Sequence, residues 1–207
     1  MFPRVYPITD VEIAGVSHAD QVSLLADGGA TFVQLREKNL PSLDFYHETK
    51  AALAITRQRG ITLIINDRVD VALALGGDGV HLGQDDLPPD AARKMLGNDA
   101  IIGYSTHNVA QAIDAAILPV DYIAIGPIFQ TGSKANPDPI VGLDGLRAVR
   151  KAIGDRHLVA IGGITEENAP AVINAGADSI ALISALLSGG PTAITDRYRK
   201  LDRILYR

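Results

Sequence analysis

The chain contains no cysteine. Disulfides, thiolate metal sites and cysteine nucleophiles are thereby excluded. No apolar run approaches the roughly 20 residues that a helix needs to cross a bilayer. The opening Met-Phe-Pro-Arg-Val-Tyr-Pro also lacks the basic and apolar regions of a signal peptide, so a cytoplasmic location is expected. Positive charge is not in excess: 19 Lys and Arg stand against 24 Asp and Glu, for a net charge of −5. A nucleic-acid partner would require a basic face, so neither nucleic acid nor membrane is expected. A phosphorylated metabolite is still allowed, because it needs only a few well-placed cations. Linkers and low-complexity stretches are absent too, which predicts a single domain over residues 1–207.

What is present is a repeating pattern. Short runs rich in Val and Ile alternate with stretches of helical periodicity. Strand starts are expected near Arg4, Thr31, Thr62, Gly79, Ala100, Asp121, His157 and Asp178. Runs such as Leu63-Ile64-Ile65 and Tyr122-Ile123-Ala124-Ile125 are apolar on successive residues, which suits parallel strands covered on both faces. Helix starts are marked by Ser17 three positions before Asp20, and by Thr165 before Glu166 and Glu167. After Pro191, Ile194, Tyr198, Leu201 and Leu205 form one stripe, leaving Arg197, Lys200 and Arg203 to water. Eight such units form either a closed barrel or an open doubly wound sheet. The first strand is not followed by G-x-G-x-x-G, the strongest signal for the open form. The predicted fold is therefore α/β, a single-domain (β/α)8 TIM barrel, although 207 residues is short for a fold of typically about 250.

In that fold the active site lies where the strands end. The second strand ends in Gln34-Leu35-Arg36-Glu37-Lys38, and alternation puts Gln34, Arg36 and Lys38 on one side. An inward Arg and Lys require either an anion or partner carboxylates, and the pattern does not choose between these. Asn66-Asp67 ends the third strand, and His81-Leu82-Gly83-Gln84-Asp85-Asp86 ends the fourth. Carboxylates there could share a magnesium ion, which takes oxygen ligands and often keeps phosphates as others. Asp85 and Asp86 are not distinguished by physics alone, and His81 reads as a hydrogen-bonded barrel residue. Ser105, in Gly103-Tyr104-Ser105-Thr106-His107, reads as a polar positioning group. Residues 126–139 form a long loop in which Thr131, Ser133 and Lys134 offer two hydroxyls and a cation. Ile161-Gly162-Gly163-Ile164 and Ala181-Leu182-Ile183-Ser184 sit where barrels recurrently bind phosphate with backbone N–H groups.

The ordered set QLREK, NDR, HLGQDD, GYSTH, GPIF…T-x-S-K, AIGGI and ALIS resembles the thiamine phosphate synthase family over nearly the whole chain. The resemblance implies that two small phosphorylated heterocycles are joined. A hydroxymethylpyrimidine diphosphate and a thiazole phosphate give thiamine phosphate and diphosphate, in a dissociative step assisted by Mg2+. It further implies that Asp67 and Asp86 hold the metal. Gln34, Leu35, Arg36, Glu37, Lys38, Asn66, Ser105 and Lys134 would meet the pyrimidine diphosphate, with Arg36, Lys38, Ser105 and Lys134 acting in catalysis. Thr131, Gly132, Ser133, Gly163, Ile183 and Ser184 would meet the thiazole phosphate. The family loop usually reads Pro-Thr-x-Thr-Lys; here Gln130 and Ser133 depart from it.

Two other readings compete. A thiazole tautomerase barrel would keep the phosphate site without needing the diphosphate residues, and a non-catalytic phosphometabolite-binding module would have little use for a metal pair. No helical face shows an obvious contact surface, so the sequence assigns no oligomeric state.

Overall fold

Strands that are apolar on successive residues must be covered on both faces, and a closed barrel ringed by helices does this. The computed structural model describes residues 2–132 and 138–206. Eight parallel strands close in sequence order: β1 (Val5–Thr9), β2 (Phe32–Leu35), β3 (Thr62–Asn66), β4 (Gly79–Leu82), β5 (Ile101–Thr106), β6 (Tyr122–Ile125), β7 (His157–Ile161) and β8 (Ser179–Leu182). Every strand begins within one residue of its predicted start. Closure is made by β1 on β8, with Val5 opposite Ile180. Between the strands and after β8 lie α1 (Val11–Ala14), α2 (His18–Gly28), α3 (Ser42–Arg59), α4 (Val69–Leu75), α5 (Pro89–Leu96), α6 (Val109–Ala116), α7 (Gly142–Ile153), α8 (Ala169–Asn174), α9 (Ser184–Leu187) and α10 (Pro191–Leu205). No described helix is long and apolar enough to cross a membrane.

The period of two along each strand separates two cores. Val33, Leu35, Leu63, Ile65, Val80, Leu82, Ile123 and Ile125 point outward and pack with the helices. Tyr6, Ile8, Phe32, Ile64, Tyr122, Ala124, Val159 and Ala181 fill the barrel interior. Phe2 closes the lower end, stacked on His157 at 4.3 Å and edge-on to Phe32 and Tyr122.

At that lower end one arrangement recurs. Asp78, Asp121 and Asp178 precede β4, β6 and β8, and each accepts a backbone N–H from the strand just before, from Leu63 on β3, Ile102 on β5 and Leu158 on β7, at 2.7–2.8 Å. Arg93 on α5 grips Asp121, and Arg150 on α7 grips Asp178.

Ser17 caps α2, accepting from Asp20 N at 3.1 Å. The last helix buries Ile194, Tyr198, Leu201 and Leu205, as its stripe predicts. Two expectations are corrected. Thr165 does not open a helix: Asn168 accepts from Thr165 N and donates to Gly163 O, making a separate turn, and α8 starts at Ala169. Arg197 is not left to water, because its guanidinium lies over the backbone of Gly189 and its Nη1 is buried.

Candidate active site

The strand ends open into a cavity of about 670 Å3. Gln34, Arg36, Lys38, Asn66, Asp67, Asp86, Ser105, Thr131, Gly163, Ile183 and Ser184, all expected in the site, line it together. Three expected contacts fall elsewhere. Leu35 points outward into the helix layer, because alternation turns it away from Gln34 and Arg36. Glu37 bends back to accept from Lys38 N and Asn39 N at 2.7 Å. Gly132 is exposed and outside the cavity wall. Ser133 and Lys134 lie outside the described residues.

The interior wall carries a continuous chain of hydrogen bonds. Gln34 Nε2 donates to Tyr6 Oη (2.9 Å), Tyr6 meets Tyr122 Oη (2.8 Å), Tyr122 meets His81 Nδ1 (3.0 Å), and His81 Nε2 meets Ser105 Oγ (2.8 Å). The amide can only donate at its nitrogen, so it sets the direction of the rest. Each tyrosine passes its proton onward, and His81 accepts at Nδ1 and donates from Nε2. Ser105 is left with its own O–H free to donate. The same amide keeps its carbonyl oxygen as an acceptor. Burial lowers the pKa of His81 to about 4, against the pull of Asp86, so the ring is neutral at physiological pH, as the chain requires. Sequence reasoning did not assign Tyr6 and Tyr122 to this wall; the signal was their inward parity with Ile8 and Ala124.

Beside this wall lies a charged group. Asp67 follows β3 with φ of 62°, a left-handed conformation unusual for a residue with a side chain, and its N–H donates to His81 O at 2.8 Å. Lys38 reaches across from the end of β2 to pair with Asp67. Asp86 accepts from Gly83 N at 2.7 Å, which draws its carboxyl inward, whereas Asp85 is exposed. Burial raises the Asp86 pKa; the Gly83 N–H opposes this, and the adjacent Asp67 carboxyl raises it further. Two carboxylates thus face each other with one lysine between β2 and β3. Asn66 Nδ2 is buried at the same wall with no hydrogen-bond partner. Among the described residues no group of three or more His, Asp or Glu is arranged to hold a metal, so a cation here would need ligands beyond the two carboxylates.

On the opposite side of the barrel, Gly162, Gly163, Ile183 and Ser184 line the cavity, and the short α9 begins at Ser184. Gly163 has φ of 65°, and a Cβ there would collide with Gln130 O and the Phe129 side chain. Its lack of a side chain serves first to let the loop after β6 lie down on β7, where Ile128 N and Phe129 N donate to Ile161 O and Gly162 O.

Residues 5–186 match the family described as thiamine monophosphate synthase. The chain belongs to that family. A relative from Clostridium novyi (strain NT), named thiamine-phosphate synthase, is 45% identical over 185 residues, covering 89% of this chain and 90% of its own length. Another of the same name from Methanoculleus marisnigri is 45% identical over 201 residues, covering 97% and 94%. The solved structure of a thiamine phosphate pyrophosphorylase from Pyrococcus furiosus superposes with a TM-score of 0.87 at 33% identity, covering 98% of this chain and 95% of that one. Membership of the thiamine monophosphate synthase family makes this barrel an enzyme of the transferase class that forms thiamine phosphate.

Proposed function

We propose that this chain joins a hydroxymethylpyrimidine diphosphate to a thiazole phosphate, with the diphosphate held at the ends of β2–β4 and the thiazole phosphate at the ends of β7 and β8. The observation that carries this reading is the buried, unpartnered Asn66 amide beside Arg36 and Lys38, in a cavity whose far wall is built from glycines and the start of an added short helix. An unpaired buried donor among cations is costly unless an anion meets it.

Two facing carboxylates, of which Asp86 has its pKa raised by burial and by the neighbouring Asp67, are a donor set that suits Mg2+, a cation taking oxygen ligands and sharing them with phosphates. Bound by Asp67 and Asp86, it would supply charge stabilisation to the leaving diphosphate. The chain's own groups do the rest. The Gln34 carbonyl accepts from the pyrimidine amino group, and Ser105 donates to a ring nitrogen or a diphosphate oxygen. Arg36, Lys38 and Lys134 hold the diphosphate, whose oxygen takes the electron pair as the C–O bond breaks. That charge exists in the transition state more than in the bound substrate, so cations fixed there accelerate the step. The wall from Tyr6 to Ser105 holds the pyrimidine-methyl cation while the thiazole nitrogen donates its lone pair to form the new C–N bond. Thr131, Ser133, Gly163, Ile183 and Ser184 align that nitrogen by its phosphate. No side chain needs to act as a nucleophile.

The test is a coupled assay with both substrates, with and without Mg2+. Thiamine phosphate and diphosphate should appear in equal amounts, and only with the metal. Asp86→Ala should slow turnover by at least about a hundredfold, in keeping with other electrostatic groups. Diphosphate release without thiamine phosphate, or an undiminished rate in the variant, would overturn the reading.

A further inference from the structure

Behind the mouth of the cavity, on the side away from substrate, a second group of polar residues is buried with no role in the reaction just described. Thr9 at the end of β1 and His18 at the start of α2 are both fully buried. Thr9 Oγ1 lies 2.7 Å from His18 Nδ1 and also accepts from Arg36 N at 3.4 Å. The Glu37 carboxylate facing Nε2 places the His18 hydrogen there, so the Thr9 hydroxyl gives its proton to Nδ1. Nε2 has no hydrogen bond, and Glu37 Oε2 faces it at 3.5 Å. The other Glu37 oxygen accepts from Lys38 N and Asn39 N. Asp10 Oδ2 is 3.3 Å from Arg36 Nη1, and the Asp10 backbone is itself fixed through its N–H on Gln21 Oε1 at 2.9 Å.

Hydroxyl, imidazole and carboxylate in this order are the components of a nucleophilic triad. Here that role is closed off, because Thr9 is buried and does not line the cavity, so no substrate can reach it. The output of the arrangement is instead the backbone of residues 36–39. We infer that His18 and Glu37 are positioning residues: through Thr9 and through the turn at Lys38 and Asn39, they fix the stretch of chain from which Arg36 and Lys38 enter the cavity.

Charge agrees with geometry. Burial lowers the His18 pKa against the opposing pull of Glu37, Glu48 and Asp10, so the imidazole is a neutral strut. Burial pushes the Glu37 carboxyl up, but the Asn39 and Lys38 N–H groups together with His18 hold it below its ordinary value. Glu37 thus remains an anion that shapes a turn and does not itself pair with Arg36 or Lys38, whose carboxylate partners are Asp10 and Asp67.

This inference rests on the diphosphate being held by Arg36 and Lys38, and the experiment separates the two ideas. Steady-state kinetics with each substrate varied in turn should show Glu37→Ala raising the KM for the pyrimidine diphosphate by about tenfold or more, the scale on which misplacement of a binding group is felt. The KM for the thiazole phosphate should stay unchanged. Glu37→Gln, which keeps one acceptor oxygen for the turn, should recover most of the loss, and His18→Phe should behave like Glu37→Ala. The turn at Glu37 is partly exposed, so the Ala and Gln variants carry the test even if the buried His18→Phe does not fold. A wild-type protein that fails to couple the substrates at all would remove the proposed function and this inference together. Coupling by the wild type with an unaltered pyrimidine KM in Glu37→Ala, or with both KM values shifted alike, would overturn the positioning role alone.

Discussion

A single absent side chain makes the interior hydrogen-bond chain possible. Any Cβ at Gly103 would fall within the ring of Tyr122, which occupies the space beside β5 and from there reaches both Tyr6 and His81. Gly103→Ala should destabilise the fold by about 3 kcal/mol, at the upper end for an overpacked interior. A lower urea midpoint at unchanged slope would register it, whereas a midpoint equal to the wild type's would show that Tyr122 has somewhere else to go. The sequence marks Gly103 only as part of a motif, since the partner it makes room for lies on the neighbouring strand. Gln34, Arg36 and Lys38, by contrast, were assigned correctly to one side because strand parity continues past the end of β2. Parity stops where regular backbone stops. This is why parity does not foresee that Glu37 turns onto the N–H groups of Lys38 and Asn39, nor that the Gly83 N–H distinguishes Asp86 from Asp85.

The strands were legible to within a residue because each is a short apolar run bounded by Gly, Asp or Thr. Three of those bounding aspartates also clamp the sheet. Asp121 receives Ile102 N and the Arg93 guanidinium, both at 2.7 Å, and Arg93 also binds Pro119 O and Ala100 O, so one helix is tied to two strands. Asp121→Ala should lower stability by about 1–3 kcal/mol, the penalty for leaving buried donors unpaired, with little change in KM because the clamp is at the end of the barrel remote from the cavity. A comparable rise in KM would contradict that separation of stability from function. Helix boundaries were less legible. Thr165 has the residues of a cap, but Asn168, three positions on, captures its N–H and starts the helix later. Nothing in a local pattern says which of two capping residues will win.

Acid should weaken the protein as a unit. Burial lowers the pKa values of His18, His81 and His157, that of His81 to about 4. Below pH 6.5 the unfolded chain binds protons that the folded chain refuses, so stability is full above that value and declines as pH falls toward 4. His81 alone accounts for on the order of 2 kcal/mol at pH 5. Asp86, with a raised pKa, acts in the opposite direction as a single group. Urea melts at pH 7.5 and 5 should give a lower midpoint at pH 5; equal midpoints would mean that these imidazoles are solvated.

The closing of β1 on β8 bears on how the molecule is made. Arg4 N donates to the Tyr206 hydroxyl, and the Arg4 guanidinium reaches Leu205 O, so contacts at the join span some 200 residues. While the ribosome is still at work, β1 has one edge satisfied by β2 and the other open to any passing strand. The nascent chain must carry that hazard until β8 has emerged, which is when holding chaperones would matter most to it.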